Sequence, residues 1–279
     1  MRQSVSAVPH ITPRNPKLRF NELPKYWFGG NAALTHMANG VNLLFPLGER
    51  FFVRSVRHYE DKVRSPTLRA AIKAFYAQEG RHAQLHERQF DTLRDQGFEI
   101  DTFMRRYQWL AYEVVEKACP PALSLATTAA LEHFTAIMAE DAFREGHLDQ
   151  AHPVMRKLLL WHAAEEIEHK DVAFDVLMDQ HPSYALRMAG LFVGAVSLAT
   201  GWYLATRMLV AQDKELDKDE FRRQLKELEA ERPVSREVFL RGIREYMRPD
   251  FHPNDKDNRG LATEFLEALM AEHGTPEAA

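Results

Sequence analysis

The chain is predicted to be all-α, a four-helix bundle with additional helices. Apolar residues recur at helical spacing from Asn31 onward, and proline or glycine interrupts the pattern at Ser65-Pro66, Gly97, Cys119-Pro120-Pro121, His152-Pro153 and His181-Pro182. No segment alternates apolar and polar residues for long enough to make a strand. The breaks leave long helices over 31–63, 67–96, 121–146, 153–180 and 183–212, with a shorter one over 101–118.

Residues 1–30 read as an extended arm. Pro9, Pro13, Pro16 and Pro24 punctuate a segment carrying Arg2, Arg14, Lys17 and Arg19, without an apolar stretch of signal-peptide length. The lack of acids before Glu22 is a trait of transit peptides, but the prolines would break the amphipathic helix such a peptide needs.

The first four long helices, which with 183–212 make up a bundle domain over 31–212, each carry acids or histidines where apolar residues are expected. Glu49 interrupts the apolar stretch from Leu43 to Val53, and Glu132 the stretch from Thr127 to Phe134. The second helix holds Glu79-Gly80-Arg81-His82, and the fourth His162-Ala163-Ala164-Glu165-Glu166-Ile167-Glu168-His169. At 3.6 residues per turn, Glu79 projects with His82, and His162, Glu166 and His169 share one face. Burying such groups uncompensated costs several kcal/mol or more, an objection that divalent cations remove. The order Glu, Glu-x-x-His, Glu, Glu-x-x-His is the ligand set of a dimetal four-helix bundle. The metal ligands are therefore Glu49, Glu79, His82, Glu132, His162, Glu166 and His169, and the same seven residues form the catalytic site. The helix at 101–118 lengthens the crossover between the second and third long helices, a feature of ferritin-like bundles.

Neighbouring groups carry weaker arguments. His86, one turn after His82, is either a further ligand or an outer partner, whereas His133 points about 100° away from Glu132. Glu165 and Glu168 flank Glu166 as outer or surface acids. Asp171 and Asp175 are candidates to orient a ligand histidine through its other nitrogen. Tyr76 reads first as a core aromatic and second as a neighbour of the metals. Arg50, Arg54 and Arg57 either balance the acids, hold an anionic substrate or form a solvated face.

Nineteen residues without a charge lie between Arg187 and Arg207, long enough to span a membrane. Gly190, Gly194, Ser197, Thr200 and Gly201 dilute the run and permit close helix approach. It is read as a fifth apolar helix in the core or at a homodimer interface, with membrane contact through 188–206 as the alternative. Residues 213–279 form a charged helical C-terminal extension. Fourteen of the twenty residues from Asp213 to Arg232 are charged at helical spacing, Tyr246 to Gly260 reads as a loop, and an amphipathic helix closes the chain.

Carboxylate and imidazole ligands without thiolate suit two iron ions, with manganese or zinc as alternatives. The arrangement Glu49, Glu79-x-x-His82, Glu132, His162-x-x-x-Glu166-x-x-His169 resembles that of the ferritin-like di-iron proteins, and the extra His162 is similar to the pattern of the arylamine N-oxygenases in that superfamily. Over nearly the whole chain, including Phe45 to Phe52 and Trp161 to Lys170, it also resembles a bacterial family labelled predicted metal-dependent hydrolases. The first resemblance implies an oxygenase or oxidase that activates O2 to oxidise a small or hydrophobic organic substrate, drawing on an electron donor. It places Glu49, Glu79 and His82 on one metal, His162 and His169 on the other, and Glu132 and Glu166 between them or capping. The hydrolase alternative uses the same residues to hold a metal-bound hydroxide, and a non-enzymatic metal-binding bundle is the third reading.

At 279 residues and a net charge of −4, with basic and acidic residues interspersed, the chain has room for a large core and no basic segment suited to nucleic acid. Its single cysteine, Cys119, excludes an internal disulfide and cysteine-based metal sites, and fits a reducing, cytoplasmic setting.

Overall fold

A computed structural model describes residues 11–231 and 234–273. Among these the structure is all-α, with only an isolated bridge between Phe28 and Ala151 in extended pairing. The first ten residues of the expected arm and the final six of the chain lie outside the described residues.

The first expected long helix is two helices, α1 (Ala32–Asn42) and α2 (Phe45–Arg57). Pro46 supplies the reason: it has no N–H to return to the Asn42 carbonyl, so it can begin a helix but not continue one. Asn31 caps α1 by accepting a hydrogen bond from the Leu34 N–H. Helix α3 (Pro66–Asp95) starts at a Ser65 cap with Pro66 in its first turn. The crossover consists of α4 (Asp101–Gln108), a π-helical stretch over Trp109–Val115 and the short α5 (Glu116–Ala118). Helix α6 (Pro121–Glu145) ends at Gly146, whose φ of 60° makes it a left-handed cap.

The expected helix over 153–180 breaks after one metal-site motif, into α7 (Pro153–His169) and α8 (Val172–Gln180). At the break, the Glu168 carbonyl accepts from the Arg259 guanidinium, and the Lys170 ammonium turns to the Lys256 carbonyl and Asn258. The Arg259 side chain thus satisfies a carbonyl that a continuous helix would have paired internally. Helix α9 (Tyr184–Gln212), α10 (Lys218–Glu231), α11 (Val234–Tyr246) and α12 (Arg259–His273) complete the order.

Helices α2, α3, α7 and α6 form a closed ring, each packed on the next, with α2 against α6 completing it. Helix α9 leans on α6 and α1, α11 on α6, and α12 on α7. The approach of α9 is close: a Cβ at Gly190 would collide with the Ala126 backbone, and one at Gly40 with Thr206. Only one face of α9 is packed. Both α6 and α9 are long and apolar enough to cross a membrane, but the apolar window of α6 is 72% buried and that of α9 only 22%. Phe192, Val196, Tyr203 and Leu204 are exposed along the outer face of α9.

The arm from Ile11 is part of the core. Leu18, Phe20, Leu23 and Trp27 are buried against Leu85, Met155, Leu158 and Trp161, beside Leu266 and Leu269 of α12. The centre of the ring is left to polar residues.

Candidate metal centre

Four helices aim acids and imidazoles into the ring. Helix α2 supplies Glu49, α3 supplies Glu79, His82 and His86, α6 supplies Glu132, and α7 supplies His162, Glu165, Glu166 and His169. The seven residues predicted as ligands are brought together, and none is more than 4% exposed. Apolar rings wall them in: Trp161 meets His82 edge-on at 4.8 Å, and Phe75 meets His169 at 5.0 Å between centroids.

The seven fall into two overlapping groups. His169 Nε2 lies 3.1 Å from Glu79 Oε1, 3.3 Å from Glu132 Oε2 and 3.5 Å from Glu166 Oε2. His162 Nε2 lies 2.8 Å from Glu166 Oε1 and 3.7 Å from Glu49 Oε1, and the His82 ring stacks on His162 at 4.3 Å. His82 Nδ1 completes this group, 3.9 Å from Glu166 Oε1. Candidate metal-holding triads accordingly include His82, His162 and Glu166 on one side and Glu79, Glu166 and His169 on the other, with Glu49, Glu79 and His82 spanning them. Glu166 serves both groups. His162 and His169 do not occur together in these triads: His162 groups with His82 and Glu166, and His169 with Glu79 and Glu166.

The donor set fits metal ions on its own chemistry. Both carboxylate oxygens of Glu49, Glu79 and Glu132, with His82 Nδ1 and His169 Nε2, are buried without any hydrogen-bond partner. Unpaired buried polar atoms are rare and costly, and eight gathered in one buried cluster call for cations. Electrostatics point the same way. Burial, then the neighbouring acids, raises Glu49 well above the usual carboxylate range, with Glu79 repelling most. Burial raises Glu79 likewise, and raises Glu132 to about 7. Burial opposes ionisation of Glu166 too, but His169 and His162 outweigh it and hold Glu166 well below its ordinary value. Burial and then the His162 ring depress His82. Cations would exchange these protons for coordination.

Outer hydrogen bonds fix which nitrogen of each imidazole faces inward. His169 Nδ1 donates to Gln78 Oε1 at 2.9 Å, leaving Nε2 bare. Gln78 in turn donates to Glu168, which accepts both guanidinium nitrogens of Arg14. His82 Nε2 and Glu165 Oε2 share a proton at 3.0 Å, so that Nδ1 faces the metals. Glu165 also accepts from the Arg14 backbone N–H and guanidinium. His162 Nδ1 donates to His86 Nε2 at 2.6 Å, and His86 Nδ1 donates to Asn42 Oδ1. Thr135 Oγ1 donates to Glu166 Oε2. Such partners orient ligands and raise their basicity.

Other expected neighbours lie elsewhere. Asp171 pairs with Arg259 and Asn254, and Asp175 with His252, so neither orients a ligand histidine; the break after His169 swings both out of line with it. Arg50 pairs with Glu87, Arg54 with Glu116, and Arg57 lies over the Tyr76 ring, so none bonds to the buried acids, although the charge of Arg50 partly offsets the rise of Glu49. Tyr76 packs against the core, and His133 turns to the Gly242 carbonyl. Reasoning from sequence missed Arg14, Gln78 and Asn42. None stands in a motif, and only the turn-by-turn neighbourhood of Gln78 with Glu79 and His82 carried any signal.

A family model described as "predicted metal-dependent hydrolase" matches residues 12–257, most of the chain and all of this centre. The chain belongs to that family. No curated protein and no solved structure matches it. For this member of the predicted metal-dependent hydrolases, the buried Glu/His cluster is where a metal cofactor would sit.

Proposed function

We propose that this protein is a dimetal-dependent hydrolase acting on a substrate with an apolar part, built on a ferritin-like bundle. The observation that carries the reading is the set of eight unpaired buried donor atoms, in a chain that belongs to a metal-dependent hydrolase family. The closed ring of α2, α3, α7 and α6, with its long α4–α5 crossover, supports the ferritin-like assignment. Glu49, His82 and His162 would hold one cation and Glu79, Glu132 and His169 the other, with Glu166 reaching both.

Two divalent cations so held would supply polarisation of a substrate oxygen and acidification of a water toward neutrality. The remaining work belongs to the side chains. Glu165, Gln78 and His86 lock the three imidazoles so that the bare nitrogens stay inward. Glu49 has no hydrogen bond to either oxygen and borders the cavity between α2, α6 and α9. With one Glu49 oxygen holding the cation, the other would take the proton of the attacking water and return it to the leaving group.

A second reading has its own support. Apart from Glu49, His162, Glu166 and Thr135, the cavity is lined by apolar side chains and Gly48, with no cation or amide to hold a leaving group. Such surroundings suit oxidation of an apolar substrate by O2 at a di-iron centre fed by an electron donor. Metal analysis of protein purified with iron, zinc and manganese supplied in turn separates the two readings, combined with turnover of an ester panel and mixing of anaerobic reduced protein with O2. Ester cleavage indifferent to O2, with two zinc or manganese ions per chain, supports the hydrolase. Two irons, a transient visible band and no ester cleavage put the oxidative reading first. Two bound metals with neither activity leave a metal-binding bundle.

A further inference from the structure

The cavity beside the centre has two unlike ends. At one stand Glu49, His162 and Glu166, with Phe45 edge-on to His162 at 4.6 Å; the other walls include Leu44 just before α2, Leu131 and Met138 of α6 and Leu198 of α9. Thr135 is committed to Glu166. A ligand entering the outer part therefore meets no hydrogen-bonding group and is held by apolar contact alone. The cavity is a slot of about 50 Å³, and its leucine and methionine walls can repack along a flexible chain.

Gly48 lines the same slot, immediately before Glu49. It lies inside α2, where glycine is a poorer helix former than alanine. A Cβ built there meets no atom within 4 Å. No backbone of another helix needs the missing side chain, unlike at Gly190 or Gly40. What glycine provides at this position is room next to the metals.

We propose that this slot binds the aliphatic part of the substrate, an unbranched alkyl or acyl chain, and that Gly48 sets how much of the chain fits. The proposal rests on the dimetal-enzyme reading for the identity of the reacting end but not for the binding itself. The test is calorimetric titration of the full-length, metal-loaded protein with 1-alkanols from butanol to decanol, and with benzyl alcohol as the aromatic control. Affinity should rise about threefold to fourfold per added methylene until the slot is full. Gly48→Leu should weaken octanol binding by about tenfold or more through loss of that volume, with metal content unchanged. Met138→Ala should move the plateau to longer alcohols. Octanol binding no tighter than butanol, benzyl alcohol outcompeting the alkyl series, or octanol affinity unchanged by Gly48→Leu would each overturn the proposal. If Gly48→Leu loses metal, Gly48→Ala and Met138→Ala carry the same comparison with smaller steps in opposite directions. No turnover is read, so an inactive protein that still shows Gly48-dependent alkyl binding would count against the enzyme reading alone. An active one without that dependence would count against the slot alone.

Discussion

The centre has a clamped side and an open side. On the clamped side, His82 and His169 are backed by acids that converge on a single guanidinium: Glu165 behind His82, Gln78 and Glu168 behind His169, and Arg14 across both acids. On the open side, His162 is backed by a neutral relay through His86 to Asn42 and on to Gln89, and Glu49 borders the cavity with no hydrogen bond at all. An imidazole that donates to a carboxylate is a stronger metal ligand than one that donates to a neutral acceptor. His82 and His169, one histidine from each proposed cation site, thus have a charged, rigid backing, whereas His162 and Glu49 border the space where a substrate would enter.

Glu166 joins the two sides, and removing it should have the largest effect. Its two oxygens face His162 and His169 separately. Glu166→Ala should weaken both metals by more than about a hundredfold, beyond the range expected for an outer partner. Metal content after dialysis checks this, and retention of one full metal would mean that the sides are independent.

Arg14 tests the clamped side alone. Burial pushes Glu165 up to about 8, and Arg14 is the first group that opposes the rise. In Arg14→Gln the acid should keep its proton and cease to accept from His82, while Glu168 loses its partner. Affinity should fall about 10- to 100-fold at both proposed cation sites, since His82 belongs to one and His169 to the other. Competition with a chromophoric chelator, resolved into two binding steps, reads both losses, and a step left unchanged would show that its histidine does not depend on Arg14.

How much of this was legible before the structure depends on what each residue's neighbours are. Glu79-x-x-His82 and His162-x-x-x-Glu166-x-x-His169 are spaced by the helix itself, so their convergence follows from 3.6 residues per turn. The all-α class was legible for the same reason. Arg14 lies 151 residues from Glu165 on a segment without helical repeat, and no local rule ties the two together. Asn42 and His86 meet because the chain breaks at Leu43-Leu44, and continuity from 31 to 63 had hidden that turn. The break at Lys170 was equally hidden, since its satisfying partners Arg259, Lys256 and Asn258 come from some ninety residues downstream.

Metal-free protein should show the strain of the whole centre as a pH effect. Above pH 6.5, the ordinary value from which His82 and His86 are depressed, both are neutral in folded and unfolded chains alike. Glu132 at about 7, Glu165 at about 8, and Glu49, Glu79 and His169, all raised, still hold protons in the folded state that the unfolded state has largely released. Stability must then fall as pH rises, by about 1.4 kcal/mol per pH unit for each such proton. Between pH 6.5 and about 8.5 the melting temperature of the apo protein should drop, and loading with metal should flatten the curve. A melting temperature that rises over this window without metal would show that the acids are already ionised and otherwise neutralised.

The smallest change is expected at His86, and it sharpens the comparison most finely. Glu49, His86 and His162 also lie close enough to hold a metal, which would make His86 a ligand rather than a backing residue. The hydrogen bonds favour the backing role: His86 Nδ1 is committed to Asn42, and Nε2 to His162 Nδ1. In His86→Gln, the amide oxygen can still accept from His162, so two metals per chain should remain, with affinity on the open side lowered only a few-fold, below the usual range for losing an outer partner. His86→Leu removes the acceptor and should bring the loss up to about tenfold. A drop to one metal per chain in the glutamine variant would instead place His86 among the ligands, and the site of Glu49, His82 and His162 would then have three imidazoles against the single His169 of the other.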